Sequence, residues 1–324
     1  MKIISKDKLK NLSIIICFII LLIVPLVGSS YLDFLTSMAL IYAIWALGYN
    51  FLLGYTGLLS FGHAAYFGLG AYTVAFLLTK FSINSFLIAI SAAILVSALA
   101  GMAIGFLCVR YTRIYFALLS LAFGQFFYAL CFKLYHITGG SDGMHVATPY
   151  LFNINLNAIQ NPIGYYYFTL FFFIIAIYAA WRIVNSPFGK ILQAIRENTI
   201  RVEFIGESTR RYKWYSFILS AIYSGLAGAL YAPLFGHVVP DLFHWSFGGE
   251  VLFATLLGGY RTFIGPVIGS IVFSFSRSYI TAFMIYWPLV LGSLIAIIAL
   301  LFPSGIVGTI EKFFKKHFKK RSEL

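Results

Sequence analysis

The sequence predicts an all-α fold: a polytopic transmembrane bundle of about ten spans with both termini on the cytoplasmic side. Three observations predict it. Charged residues make up 10% of the 324 residues and apolar residues 61%, where a soluble domain carries roughly 25% charged residues. So apolar a surface needs lipid as its solvent. Apolar runs of the roughly 17–25 residues that cross about 30 Å of hydrocarbon recur at 12–27, 34–53, 58–78, 86–107, 114–132, 164–181, 214–235, 243–259, 264–281 and 284–302. The basic residues then sort to one side: four Lys before residue 12, Arg110 and Arg113, seven between 182 and 213, Arg261, and six after 303. Of the 23 Lys and Arg, only Lys80, Lys133 and Arg277 fall elsewhere, and the positive-inside rule makes the populated side cytoplasmic.

The elements follow in order. Residues 1–11 form a basic cytoplasmic tail, 12–302 the transmembrane domain, and 303–324 a second basic cytoplasmic tail. The run 12–27 reads as an uncleaved first span rather than a signal peptide, because it is long and Val27-Gly28-Ser29 is a poor cleavage site. Segment 54–70 holds five glycines, which implies tight packing, a broken helix or backbone lining a path. Gly101-x-x-x-Gly105, Ser224-x-x-x-Gly228 and Gly265-x-x-x-Gly269 predict close helix approaches, since packing rather than hydrophobicity holds helices together in lipid. The loop 133–163 lies outside and opens on the turn formers 138–143, TGGSDG. The run 243–259 is short and glycine-marked, so it either spans or is re-entrant.

The most unusual segment is 182–213, with seven basic and three acidic residues between two apolar runs. Phe188, Ile191, Leu192 and Ile195 fall at i, i+3, i+4, i+7, one face of a short helix. Ser186 caps that helix and Pro187 takes its first position. A second turn runs through Ile200 and Phe204, closed by Gly206. The segment either presents itself to a soluble partner or is a solvated inter-helix loop.

Composition and motifs exclude several functions. The net charge of +13 sits in tails and loops beside apolar runs, so it orients the chain in a membrane and does not build a nucleic-acid face. Cys17, Cys108 and Cys131 lie inside apolar runs with neither disulfide nor metal spacing. The Gly189-Lys190 pair has Val184 and Ile191 where a phosphate-binding loop needs Gly and Ser or Thr. No catalytic residues are expected, and any ATP-driven work needs a separate ATPase. Inside the spans, Glu250 carries an insertion cost of about 2.5–3.5 kcal/mol and needs a partner or a wet cavity; Arg277 is the obvious one. The pair is either a helix contact or part of a permeation path. His63, beside Gly62, is either a satisfied packing histidine or a proton relay, and Tyr115 and Gln125 carry the same ambiguity.

These residues converge on a resemblance. Segments 47–57 (LGYNFLLGYTG), 59–68 (LSFGHAAYFG), 114–118 (IYFAL), 138–143, 186–189 (SPFG), 194–198 (AIREN), Leu257-Gly258-Gly259 and Gly265-Pro266 together resemble the permease subunits of bacterial branched-chain amino-acid ABC importers, the LivM-type half in particular. The resemblance covers most of the chain from 47 to 269. It implies a multi-pass subunit of the bacterial inner membrane that pairs with a LivH-like permease, two cytoplasmic ATPases and a periplasmic or lipid-anchored binding protein. It implies no cofactor in this chain, with ATP and Mg bound by the ATPases. It also implies that 186–213, with Asn198, Glu203 and Gly206 within it, is the coupling loop: Arg196, Glu197 and Arg201 would orient the ATPase contact, and Ile191, Ile195 and Phe204 would bury in its groove. Arg261 departs from the family's small residue at that place. Related permeases move urea or short amides, and an ion-coupled transporter using Glu250 and His63 is the rival class.

Overall fold

The computed structural model describes residues 21–310 except 84, 112, 152–153, 284 and 303. The basic tail 1–11, most of the run 12–27 and the greater part of the tail 303–324 therefore lie outside the described residues. Within them, each of the other nine apolar runs becomes a helix: α1 (Ser30–Asn50), α2 (Ala64–Thr79), α3 (Phe86–Cys108), α4 (Ile114–Lys133), α5 (Pro162–Val184), then, after the amphipathic pair α6 (Pro187–Glu197) and α7 (Thr199–Phe204), α8 (Thr209–Phe235), α9 (Trp245–Gly258), α10 (Gly265–Phe283) and α11 (Trp287–Leu301). Five of these are long and apolar enough to cross a membrane: α1 with its extension to Thr56, α3, α4, α5 and α8. The chain is an all-α, multi-pass membrane protein.

Burial divides the long helices into two kinds. The α1 span is 94% buried and α8 78%, whereas α3, α4 and α5 are only 28–33% buried. The first two form the heart of the bundle. The other three turn residues such as Leu95, Leu99, Leu118, Phe126, Phe171 and Ile175 outward, where lipid or another apolar helix covers them. The predicted small-residue motifs sit at the central contacts: a Cβ on Gly101 or Gly105 would meet Ala221 or Phe217 of α8, one on Gly228 would meet the Phe67 carbonyl of α2, and one on Gly269 would meet the Ala254 carbonyl of α9. Close approach of this kind is how lipid-embedded helices gain dispersion contacts.

One sequence expectation changes. The run 58–78 is not helical from its start: α1 widens into a π-helical turn over Phe51–Thr56, Gly57 takes a left-handed φ of 73°, and regular helix resumes at Ala64. Only glycine adopts that conformation without strain, so the break is written at Gly57. The glycine-rich stretch is thus both a broken helix and a tight contact.

The connections gather at two opposite ends. At one, Thr79 Oγ1 donates to the His145 carbonyl (2.8 Å), Lys80 Nζ to the His136 carbonyl (2.8 Å), and β1 (Met144–His145) pairs antiparallel with β4 (His237–Val238). The loop 133–163 is folded down there, with a second small hairpin of β2 (Tyr150–Leu151) and β3 (Ile154–Asn155). The other end carries the 57–63 break, α6, α7 and the 259–264 turn. At about 1.5 Å per residue, the 14 residues of α9 reach about 21 Å, short of a full crossing, yet α9 runs from one end towards the other.

Candidate functional site

The α6–α7 end is built on its caps. Ser186 Oγ accepts from the Gly189 amide (3.4 Å) with Pro187 first in the helix, as the sequence predicts. Asn198 leaves helical geometry and its side chain accepts from the Arg201 amide (3.1 Å), starting α7. Glu203 accepts from Thr209 Oγ1 (2.7 Å), and Gly206 takes the left-handed φ of 89° that ends the turn. The apolar face of α6 is used internally: Leu192 and Ile195 are 1% and 2% exposed, α6 packs on the Phe51–Thr56 turn, and Phe188 meets the Tyr212 ring (centroids 5.7 Å). This corrects the expected role of Ile195, which is spent within the chain and not free for a partner's groove; Ile191 is half-buried. Phe204 is fully presented, and with it Ile200 and Ile205. Those two were missed as contact candidates, although they flank Phe204 in the same turn.

Arg196 ties this segment to the bundle. Its Nη1 donates to the Gly54 carbonyl and its stem lies against Gly57, so the break after α1 and the end of α6 are joined directly. Beside it opens a cleft of about 600 Å³ bordered by Leu53, Arg196, Glu197, Leu256, Tyr260 and Arg261. Arg261 covers the Tyr260 ring (5.6 Å), which is how the turn accommodates a large cation.

The second place where chemistry gathers is the opposite end of α9. Glu250 and Arg277 form the expected ion pair. Tyr42 of α1, itself wholly buried, donates to Glu250 Oε2 (2.6 Å), and Arg277 Nη1 donates to the Tyr42 hydroxyl (3.1 Å). The pair lines a cleft of about 470 Å³ with Tyr128, Asp241, His244, Ser246 and Phe247. Tyr42, Tyr128, Asp241 and His244 were not singled out from the sequence. The first two read as ordinary aromatics of a span, Asp241 as a connection residue and His244 as the edge of the run 243–259, and only tertiary packing brings them to Glu250.

The remaining candidates are not part of either cleft. His63 is wholly buried, with Nδ1 3.0 Å from Ser60 Oγ and Nε2 2.5 Å from Ser220 Oγ; both ring nitrogens are satisfied, as a packing histidine requires. Gly62 gives α4 its close approach at the Ser120 carbonyl. Tyr115 stands on the outer face of α4, 73% exposed. Gln125 Nε2 is shielded and has no hydrogen-bond partner among the described residues.

A bundle of apolar helices with a capped amphipathic pair at one end and a paired carboxylate and guanidinium near the other defines a class, the polytopic membrane permease. The family described as branched-chain amino acid transport system, permease component, matches residues 31–302, and the chain belongs to it. It is 29% identical over 294 residues to the high-affinity branched-chain amino acid transport system permease protein LivM of Salmonella typhimurium, covering 84% of this chain and 69% of that one. It is 25% identical over 292 residues to the LivH permease protein of the same organism, covering 83% and 92%. A shorter likeness, 32% over 146 residues, reaches 41% of this chain and 44% of the probable LivH permease of Methanocaldococcus jannaschii. No solved structure matches. The chain is of the LivM type, a transport permease and not an enzyme.

Proposed function

We propose that this chain is the permease subunit of an ATP-driven importer of branched-chain amino acids in a bacterial inner membrane. It would have about ten spans, with both termini and α6–α7 facing the cell interior. Its partners on this reading are a LivH-like permease, two ATPases that bind ATP and Mg, and an external binding protein. The observation that supports it most is the division of labour in 186–206: one apolar face holds α6 to the bundle, while Ile200, Phe204 and Ile205 stay uncovered between Glu197, Arg201 and Glu203. Uncovered apolar residues rimmed by charge mark a docking surface. Movement of a docked ATPase would pass through Arg196 to the Gly54 carbonyl and along the cleft to α9, so that both clefts respond to one push.

The test is a double charge reversal, Glu197→Arg with Arg201→Glu. Both side chains are exposed, so membrane insertion and folding are unchanged, while radiolabelled leucine uptake is lost and ATP hydrolysis continues. Unaltered uptake in that variant contradicts the proposal.

A further inference from the structure

We infer that the cleft at the Arg277 end receives the charged end of a zwitterionic amino acid by exchanging ion pairs with it. The inference rests on the importer reading above and specifies what its path recognises. Glu250 and Arg277 face each other across the cleft wall with their side chains 14% and 25% exposed, so the pair is reachable and not sealed in the core. Tyr42 fixes Glu250 from behind, inside the bundle, which leaves the open side of the pair facing the cavity. Asp241, exposed at the rim with Tyr128 Oη 3.5 Å from its Oδ1, adds a second carboxylate. Phe247 and Tyr128 supply ring surface. The volume, about 470 Å³, lies within the roughly 300–1,000 Å³ of small-molecule sites.

The charge arithmetic selects the ligand. Separating Glu250 from Arg277 leaves two poorly solvated charges, which is costly unless each finds a new partner. A zwitterion supplies both at once: its carboxylate takes the Arg277 guanidinium, which suits a planar two-oxygen acceptor, and its ammonium takes Glu250 with Asp241. An aliphatic side chain then rests on Phe247 and Tyr128. Urea and short amides carry no charge to exchange. An amine or a carboxylate alone replaces only one partner and strands the other, so this end discriminates against both.

The test uses the full chain in lipid nanodiscs, with Ser246→Cys as reporter on the cleft wall and a membrane-impermeant maleimide as probe. Cys108 and Cys131 are buried, and labelling of the unsubstituted chain supplies the background. Leucine at about four times its Kd slows labelling of Ser246→Cys about fivefold by simple occupancy, whereas leucinamide and 4-methylpentanoate at the same concentration do not. Protection disappears when Glu250→Gln is added. Equal labelling with and without leucine, equal protection by all three compounds, or protection that survives Glu250→Gln overturns the inference. If Ser246→Cys does not fold, thermal stabilisation of the unsubstituted chain by leucine and not by 4-methylpentanoate is the same test, and equal effects overturn it. Because occupancy needs neither ATP nor partners, protection without ATP-driven uptake sinks the importer reading alone, and uptake without protection sinks this one alone.

Discussion

The two clefts share α9 yet solve the problem of charge in opposite ways. At the α6 end, Glu197, Arg201 and Glu203 are exposed to solvent, Glu203 held besides by the Thr209 hydroxyl, and the uncovered residues beside them, Ile200, Phe204 and Ile205, are apolar. At the Arg277 end the charges turn towards each other, a carboxylate and a guanidinium joined through Tyr42. The difference follows from where each lies in its element. A charge on a loop keeps its water, whereas a carboxylate one turn into an apolar helix keeps its charge only if the fold replaces that water. On the readings proposed above, the first end would be covered by another protein and the second opened by a solute.

Removing charges is the sharpest way to break this comparison. Arg277→Ala leaves Glu250 without its counter-ion and costs about 3–5 kcal/mol, read as a lower melting temperature in detergent. The apolar double variant Glu250→Leu with Arg277→Met regains most of that loss. Arg201→Ala at the other end stays within about 0.5 kcal/mol of the parent. Equal costs at Arg277 and Arg201 would erase the distinction between the two ends.

The link between the ends is tested next. A Cβ on Gly258 would meet the Gly265 backbone of α10, so Gly258→Ala pushes α9 off α10 at a cost of about 1–3 kcal/mol from overpacking. Chemical denaturation in mixed micelles reads it, and an unchanged midpoint means that the two helices yield freely there. The smallest expected effect is at the cap of α6. Ser186→Ala removes the acceptor of the Gly189 amide and costs about 0.5–2 kcal/mol, seen as faster hydrogen exchange confined to α6. Exchange that quickens throughout the bundle would mean that α6 is not the separable unit described.

Much of this architecture is legible in the sequence because lipid leaves few choices. A run of apolar residues must close its own hydrogen bonds, so the nine runs within the described residues become helices. Ser186, Pro187 and Gly206 act where capping chemistry places them. Glu250 and Arg277 were pairable from sequence because no other unmatched ionic side chains lie so deep in neighbouring spans. What escaped is tertiary. The π-helical turn over Phe51–Thr56 has no periodic signature, and the irregular stretch after Gly57 looks as apolar as the helix it interrupts. Ile195 and Phe204 read alike as apolar residues of one amphipathic segment. Only the packing of α6 against 51–56 decides that the first is buried inside and the second left uncovered. Asp241 and His244 gain their meaning from the fold of 236–244 against Tyr128.

The central claim, that α6–α7 faces the cell interior and docks a separate engine, is tested most directly at Phe204, which is 85% exposed. With Phe204→Cys, an impermeant thiol reagent should label inside-out vesicles and not intact cells, and added ATPase subunits should block that labelling. Labelling of intact cells, with inside-out vesicles unreactive, would contradict the account.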